Sequence, residues 1–436
     1  MHRARFATDG RIAAALVAAL LWWLGIVSSR FVPAGPPAPI GDLRPLLKQL
    51  ERGTPAERDA AERALIAKGP AVLHRLPQPD EVTSPELKQR LNRIIQSLQQ
   101  VRLDQIVDAS RLTLQGSHSL VDLVAEIERQ TGNQVQFAEG IDGSRKIRVD
   151  WKNDPFWPSV DQILDEADLT VDPLATESGL LSVIPRRPGV VGRFGLADYE
   201  GAFRFEVSRV TGTRNLRVPD QSSLQVHIET AWEPRIRPIA LSFPYAQFSI
   251  EYEENTPVAP VNAGAEPSFP IRPDMASVEL LIGFPLPPRE SSELNVMRGR
   301  CDVLLPAEVG KFRFKDLEKS LKKQQRHGQV TVTLLDIRPN EGLDEVFLNV
   351  AFDRAESAFQ SHFAWMLDNP VHVHSDDGKK LEPLGMHTLG QTGRSIRVAY
   401  IFDLKEPLSQ YELVYESPIG IVRKPVTFEI HHVELP

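Results

Sequence analysis

One pair of side chains sits at metal-binding spacing: His372 and His374, separated by Val373. Residues i and i+2 of an extended strand share a face, so both imidazoles project to one side, as a metal pair requires. Asp376 and Asp377 follow, ahead of Gly378, and His387 could add a further ligand. Such a set would serve metal-dependent hydrolysis. The competing reading is an exposed hairpin, because Asp-Asp-Gly is turn chemistry by itself. Glu251 and Glu253 also share a strand face, either as a carboxylate pair or as a solvated edge. Trp151, Phe156 and Trp157 read either as an interaction surface, a stacking platform for sugars, or as helix-on-sheet packing. Trp232 is a further candidate for stacking on a glycan. The single cysteine, Cys301, lies in an alternating apolar run and reads as a packing residue rather than a nucleophile. The sequence has no Gly-x-Ser-x-Gly elbow, phosphate-binding loop, His-Glu-x-x-His helix or dinucleotide fingerprint. The expectation is a non-enzyme with no cofactor.

The elements that position these residues are many and short. The chain has 436 residues, enough for about three domains. Its 35 prolines punctuate loops and strand ends. One cysteine excludes an intramolecular disulfide and a cysteine-based zinc site, so stability rests on apolar cores. A net charge of −8 argues against a nucleic-acid surface, which needs clustered Lys and Arg.

Residues 12–27 carry no charge, with Arg3, Arg5 and Arg11 before them and Arg30 after. Positive charge is retained on the cytoplasmic side of a membrane segment. The expectation is a cytoplasmic tail at 1–11, a transmembrane anchor or signal segment at 12–29, and a stiff Pro-rich spacer at 30–40. An uncleaved anchor is favoured over a cleaved signal peptide. The bulk of the chain would then be inner-membrane anchored and periplasmic or otherwise extracytoplasmic.

A helical block is expected at 41–104. Thr54-Pro55-Ala56-Glu57 is a capping box, and Leu87, Leu91, Ile94, Ile95 and Leu98 form a helical stripe. The wording AERDAAERALIAKGPAVL resembles about one HEAT-type helical repeat. From 105 to 190 the pattern predicts a duplicated βαβ module. Leu120, Val124, Ile127 and Val135 match Phe156, Val160, Ile163 and Val171 at a constant offset of 36 (156−120, 160−124, 163−127, 171−135). Leu112-Thr113-Leu114, the helix face from Leu120 to Ile127, and Thr131-Gly132 resemble the short N-terminal module of secretins and TonB-dependent receptors. That resemblance implies a non-enzymatic protein-interaction domain in the bacterial envelope. The opening Pro155-Phe156-Trp157 is similar to that of uncharacterised envelope proteins combining such modules.

From Gly201 the apolar period becomes two. Two tandem antiparallel β-sandwiches are predicted, at 201–320 and 327–436. Gly201, Phe203, Phe205 and Val207 parallel Gly328, Val330, Val332 and Leu334, which suggests an internal duplication; the offset changes from 127 (328−201) to 118 (402−284) between blocks. The fold class expected is multidomain α+β: an N-terminal membrane helix, a small helical block, the duplicated βαβ module and two tandem sandwiches. The function expected is an envelope scaffold or adaptor binding another protein. A cell-wall or glycan-binding protein is the alternative, and a metal-dependent hydrolase on His372 and His374 the second.

Overall fold

Thr54 and Glu57 close the expected capping box: Glu57 Oε2 accepts from the Thr54 N–H at 2.7 Å, and Thr54 Oγ1 accepts from the Glu57 N–H at 3.4 Å. They open α2 (Pro55–Ala67), which follows α1 (Arg44–Arg52) and precedes α3 (Pro85–Val107). The computed structural model describes residues 42–77, 79, 82–172, 179–190, 192, 197–253, 256–272, 274–352, 366–367, 369–392 and 394–436. Leu50, Ala61, Leu65, Leu91, Ile94 and Leu98 close a small core between the three helices. The helix α3 runs past the expected boundary at 104. Its last turns place Leu103 and Val107 in the core of the first sandwich.

The described chain is mostly β, 47% strand against 25% helix, so the α+β class expected from the pattern is corrected. Among the described residues no helix is long and apolar enough to cross a membrane, so the N-terminal membrane helix of the expected fold class is not supported. The anchor expected at 12–29 lies outside the described residues. The βαβ module is also corrected. Its elements are β1 (Arg111–Ser119), α4 (Leu120–Thr131), β2 (Gln134–Phe137), β3 (Lys146–Pro155), α5 (Phe156–Glu166), β4 (Leu169–Val171) and β5 (Leu180–Pro185). The halves repeat in order, but β1 pairs antiparallel with β3, while β2 and β4 flank β5. Neither half pairs its own two strands across its helix. Both helices bury the matched faces in one core, Leu120 and Ile127 with Phe156 and Ile163. The repeat in sequence therefore reflects helix burial, not a parallel crossover.

The two sandwiches are not separate beads. The first uses β6 (Ala197–Glu200), β7 (Phe203–Thr213), β8 (Ser223–Trp232) and β12 (Ser277–Pro285) as a four-stranded sheet. The second uses β14 (Gln324–His327), β15 (Val330–Asn340), β16 (Leu343–Phe352), β20 (Ser395–Phe402) and β19 (Gly385–Gln391) as a five-stranded sheet. The order β6-β7-β8-β12 is repeated as β14-β15-β16-β20. Even the bulges correspond: the register shifts after Val207 in the first copy and after Leu334 in the second. Both copies lean on one seven-stranded sheet built around β13 (Glu293–Lys315) and β21 (Tyr411–Glu434), joined by β9 (Ala240–Ser242), β10 (Ser249–Glu251), β11 (Ser268–Pro270), β17 (Val371–Ser375) and β18 (Lys380–Leu381).

Strands β13 and β21 pair antiparallel from Glu293↔Glu434 to Lys315↔Glu412. Each therefore serves both sandwiches. Met297, Cys301, Val303 and Leu305 enter the first core, whereas Phe312 and Phe314 enter the second. The buried positions switch from odd to even numbers across the register shifts between Pro306 and Val309, as an extra residue in a strand requires. On β21 the assignment is reversed: Leu413 and Tyr415 belong to the second core, and Val426, Phe428 and Ile430 to the first. The predicted boundary at 327 thus assigned the last strand of the first sandwich to the second.

Buried polar groups lock the module of β1 to β5 to the first sandwich. Glu233, fully buried after β8, accepts from Ser110 N (2.8 Å), Ser110 Oγ (2.6 Å), Asn133 Nδ2 (2.9 Å) and Arg235 Nε (2.6 Å). Trp157 Nε1 donates to the Ala202 carbonyl at 3.1 Å. Arg204 lies over the Trp157 ring at 5.0 Å and donates to Asp161 Oδ1 at 3.1 Å. Burial depresses a guanidinium's pKa, but Asp161, Glu206 and Glu229 outweigh it here and hold Arg204 charged. A buried ion of this kind persists only when it is paired and hydrogen-bonded.

Candidate functional site

Prolines shape an apolar concavity. After Trp232 the chain leaves β8 through Pro234 and Pro238, which lack the N–H a strand ladder needs. The segment crosses from the four-stranded sheet to the shared one. Glu233 pins its start, and the Ile239 N–H donates to the Leu304 carbonyl at 2.8 Å to pin its end. Opposite stand Ile271 and Met275, leading into β12. Pro306 and Val309 come from the bulged stretch of β13, and Pro370 and Pro418 from the second sandwich. Leu180 of β5 closes the third side. All three modules thus meet at a cleft of about 220 Å³. This exceeds the ~150 Å³ of a dry apolar cavity that takes benzene.

The polar groups of this cleft are few and mostly committed. Asn369 Nδ2 donates to Tyr415 Oη at 2.9 Å and Ser417 Oγ at 3.2 Å. Burial pushes the Tyr415 phenol far up, so it stays neutral and is no acid–base group. Glu416 pairs with Lys311 at 2.7 Å, and Arg272 with Asp274 at 3.1 Å. Arg237 is exposed on the rim and has no ion pair or hydrogen bond to the described residues. The arrangement suits an apolar ligand held by shape, with one guanidinium at the edge.

The residues expected to carry chemistry fall elsewhere. His372 and His374 share a face of β17, with ring centroids 4.7 Å apart and planes at 86°. His372 is 8% exposed; burial, with Lys380 and His374 adding to it, lowers its pKa. Asp377 accepts from Ser375 Oγ and, at 3.1 Å, from the Lys379 N–H, which fixes the turn. His387 lies on β19, in the other sheet. Among the described residues no three His, Cys, Asp or Glu side chains are grouped to hold a metal. Glu251 is paired with Arg298.

The proposed surface at Trp151, Phe156 and Trp157 is corrected: all three are buried in the module core, Trp157 to 1% exposure. Trp151 Nε1 donates to Gln162 Oε1 at 2.9 Å. Their spacing is that of a helix packed on a sheet, which hides the rings a sugar would need. Trp232 is likewise buried, although its edge contributes to the cleft. Burial and the neighbouring Asp302 push the Cys301 thiol well up, which leaves it unreactive. The cleft itself was missed in the sequence. The available signal was Pro234 and Pro238 bracketing Ile236 just after a strand-terminal tryptophan.

No family model matches the sequence, and no curated protein matches it. Among solved structures, the crystal structure of the conserved domain protein from Bacillus anthracis aligns with a TM-score of 0.18 and 10% identity, over 56% of this chain and 91% of that one. A likeness of that size assigns neither fold nor activity.

Proposed function

We propose that this chain is a non-catalytic binding protein, a scaffold or adaptor that receives an apolar segment of another protein. The cleft between Trp232, Met275, Val309 and Pro370 carries the reading. Its walls are proline and aliphatic, and its polar side chains, Arg237 apart, are already paired. Apolar burial is the main source of affinity in such a site, and rigid walls lower the ordering cost of binding. The shared sheet and the Glu233 node support that rigidity. Placement outside the cytoplasm rests on the charge asymmetry around residues 12–27 alone.

The test is site-specific photo-crosslinking in cells from position 275. The expected result is a reproducible protein adduct that disappears when Val309→Arg obstructs the cleft. An adduct pattern no different from an exposed control position such as 261, or one indifferent to Val309→Arg, rejects the reading.

A further inference from the structure

The rim charge narrows the partner's chemistry. A Cβ built on Gly179 would lie 3.5 Å from Arg237 Nη2, so the guanidinium stands against another residue of the same cleft. The other charged side chains on the rim, Arg272 and Glu416, are neutralised by Asp274 and Lys311. Among the described residues, Arg237 therefore leaves one positive charge without a carboxylate partner beside an apolar pocket. A group matching both would bear an apolar body and one carboxylate.

Resting on the binding reading above, we infer that the cleft takes the C-terminal end of a partner chain, with one or two apolar residues inside and the terminal carboxylate on Arg237. The guanidinium offers a carboxylate two parallel N–H donors, a geometry an amide or hydroxyl cannot match. The wall prolines present no N–H groups, so the bound residues are held by side-chain burial and the terminal charge rather than by strand pairing. An internal segment would need room for chain at both ends, whereas a terminus needs only one exit.

The experiment titrates isotope-labelled protein, followed by the methyl signals of Ile236, Ile239 and Ile271. The ligands are N-acetyl Ala-Pro-Val-Leu as the free acid, the same peptide as its C-terminal amide, and octanoate. Arg237 is exposed and unpaired among the described residues, so Arg237→Gln leaves the fold intact; Val309→Arg serves as the blocked control. The expected result is that the free acid binds about fivefold more tightly than the amide, the scale of an exposed charged contact, and that Arg237→Gln removes the difference. Equal binding of acid and amide overturns the carboxylate inference while the cleft reading stands. Binding of octanoate alone, dependent on Arg237, overturns the chain-terminus assignment in favour of a fatty acid. Shifts that persist unchanged in Val309→Arg overturn both readings, and so does the absence of any shift with all three ligands.

Discussion

Gly201 and Gly328 occupy equivalent places in the two sandwiches, each at positive φ (56° and 57°) and each set against a backbone carbonyl. A Cβ on Gly201 would lie 2.2 Å from the Val107 oxygen, and one on Gly328 3.0 Å from the Ile419 oxygen. Each glycine precedes the first long strand of its copy, where the chain turns sharply into the sheet. The first glycine also lets Ala202 N–H donate to the same Val107 oxygen at 2.7 Å.

Replacing them should have unequal effects. Gly201→Ala must displace backbone as well as strain φ, and is expected to cost about 3 kcal/mol or more; Gly328→Ala should cost about 1–2 kcal/mol. Urea midpoints of the two variants measure the difference, and equal midpoints would show that the carbonyl contact does not matter.

Phe428 tests the crossed assignment of β21. Its ring stacks on Phe205 at 4.3 Å between centroids, inside the first core. Phe428→Ala should destabilise the first sandwich by about 3–5 kcal/mol. Hydrogen exchange should then quicken in β7 and β8 well before β15 and β16. Quickening in β15 and β16 first would contradict the shared-strand arrangement.

The Arg204 site predicts an asymmetry between breaking and replacing an ion pair. Asp161→Ala removes one hydrogen-bonded carboxylate from a guanidinium that is 2% exposed, leaving Glu206 at 2.8 Å, and should cost about 3 kcal/mol. The apolar double variant Arg204→Met with Asp161→Leu should be the more stable of the two. Chemical denaturation of both, beside the parent, decides it; a double variant less stable than Asp161→Ala contradicts the argument.

His372 should make stability depend on pH. Its folded pKa lies below the ordinary imidazole value of 6.5, chiefly through burial. The unfolded chain then binds more protons in the window just below 6.5, so stability is fully present above 6.5 and declines as pH falls through it. His372→Gln should flatten this part of the profile. Thermal melts at pH 7.5 and 5.5 for both proteins give the comparison, and identical slopes would show that the imidazole is not responsible.

Much of the local structure was legible because its causes are local. The Thr54–Glu57 box and the buried faces of α4 and α5 follow from spacing alone. The duplication of the sandwiches was legible too, since Phe203 to Val207 and Val330 to Leu334 repeat the apolar pattern, whereas the matching bulges emerge only in the folded sheets. The continuity of β13 was not. Pro306 reads as a strand end, yet it lies inside the strand at a register shift, one of the places a sheet tolerates proline. Pro425 similarly stands within β21. Pairing between Cys301 and Val426 depends on distant partners, which no local window contains. The tryptophans misled for a different reason. An aromatic on a strand or helix has the same spacing whether it faces a core or a ligand, and only the opposing element distinguishes them.

The crossed strands also set a timetable for synthesis. The first half of β13 leaves the ribosome roughly 120 residues (426−305) before Val426, Phe428 and Ile430, and β7, β8 and β12 leave earlier still. At about 5–20 residues per second, the first sandwich waits several seconds or longer with one edge of β13 unpartnered. During that interval it presents an open strand to any neighbouring nascent chain. The part made earlier is therefore finished last, and a chaperone or a slow translation step would act most usefully between the emergence of these two strands.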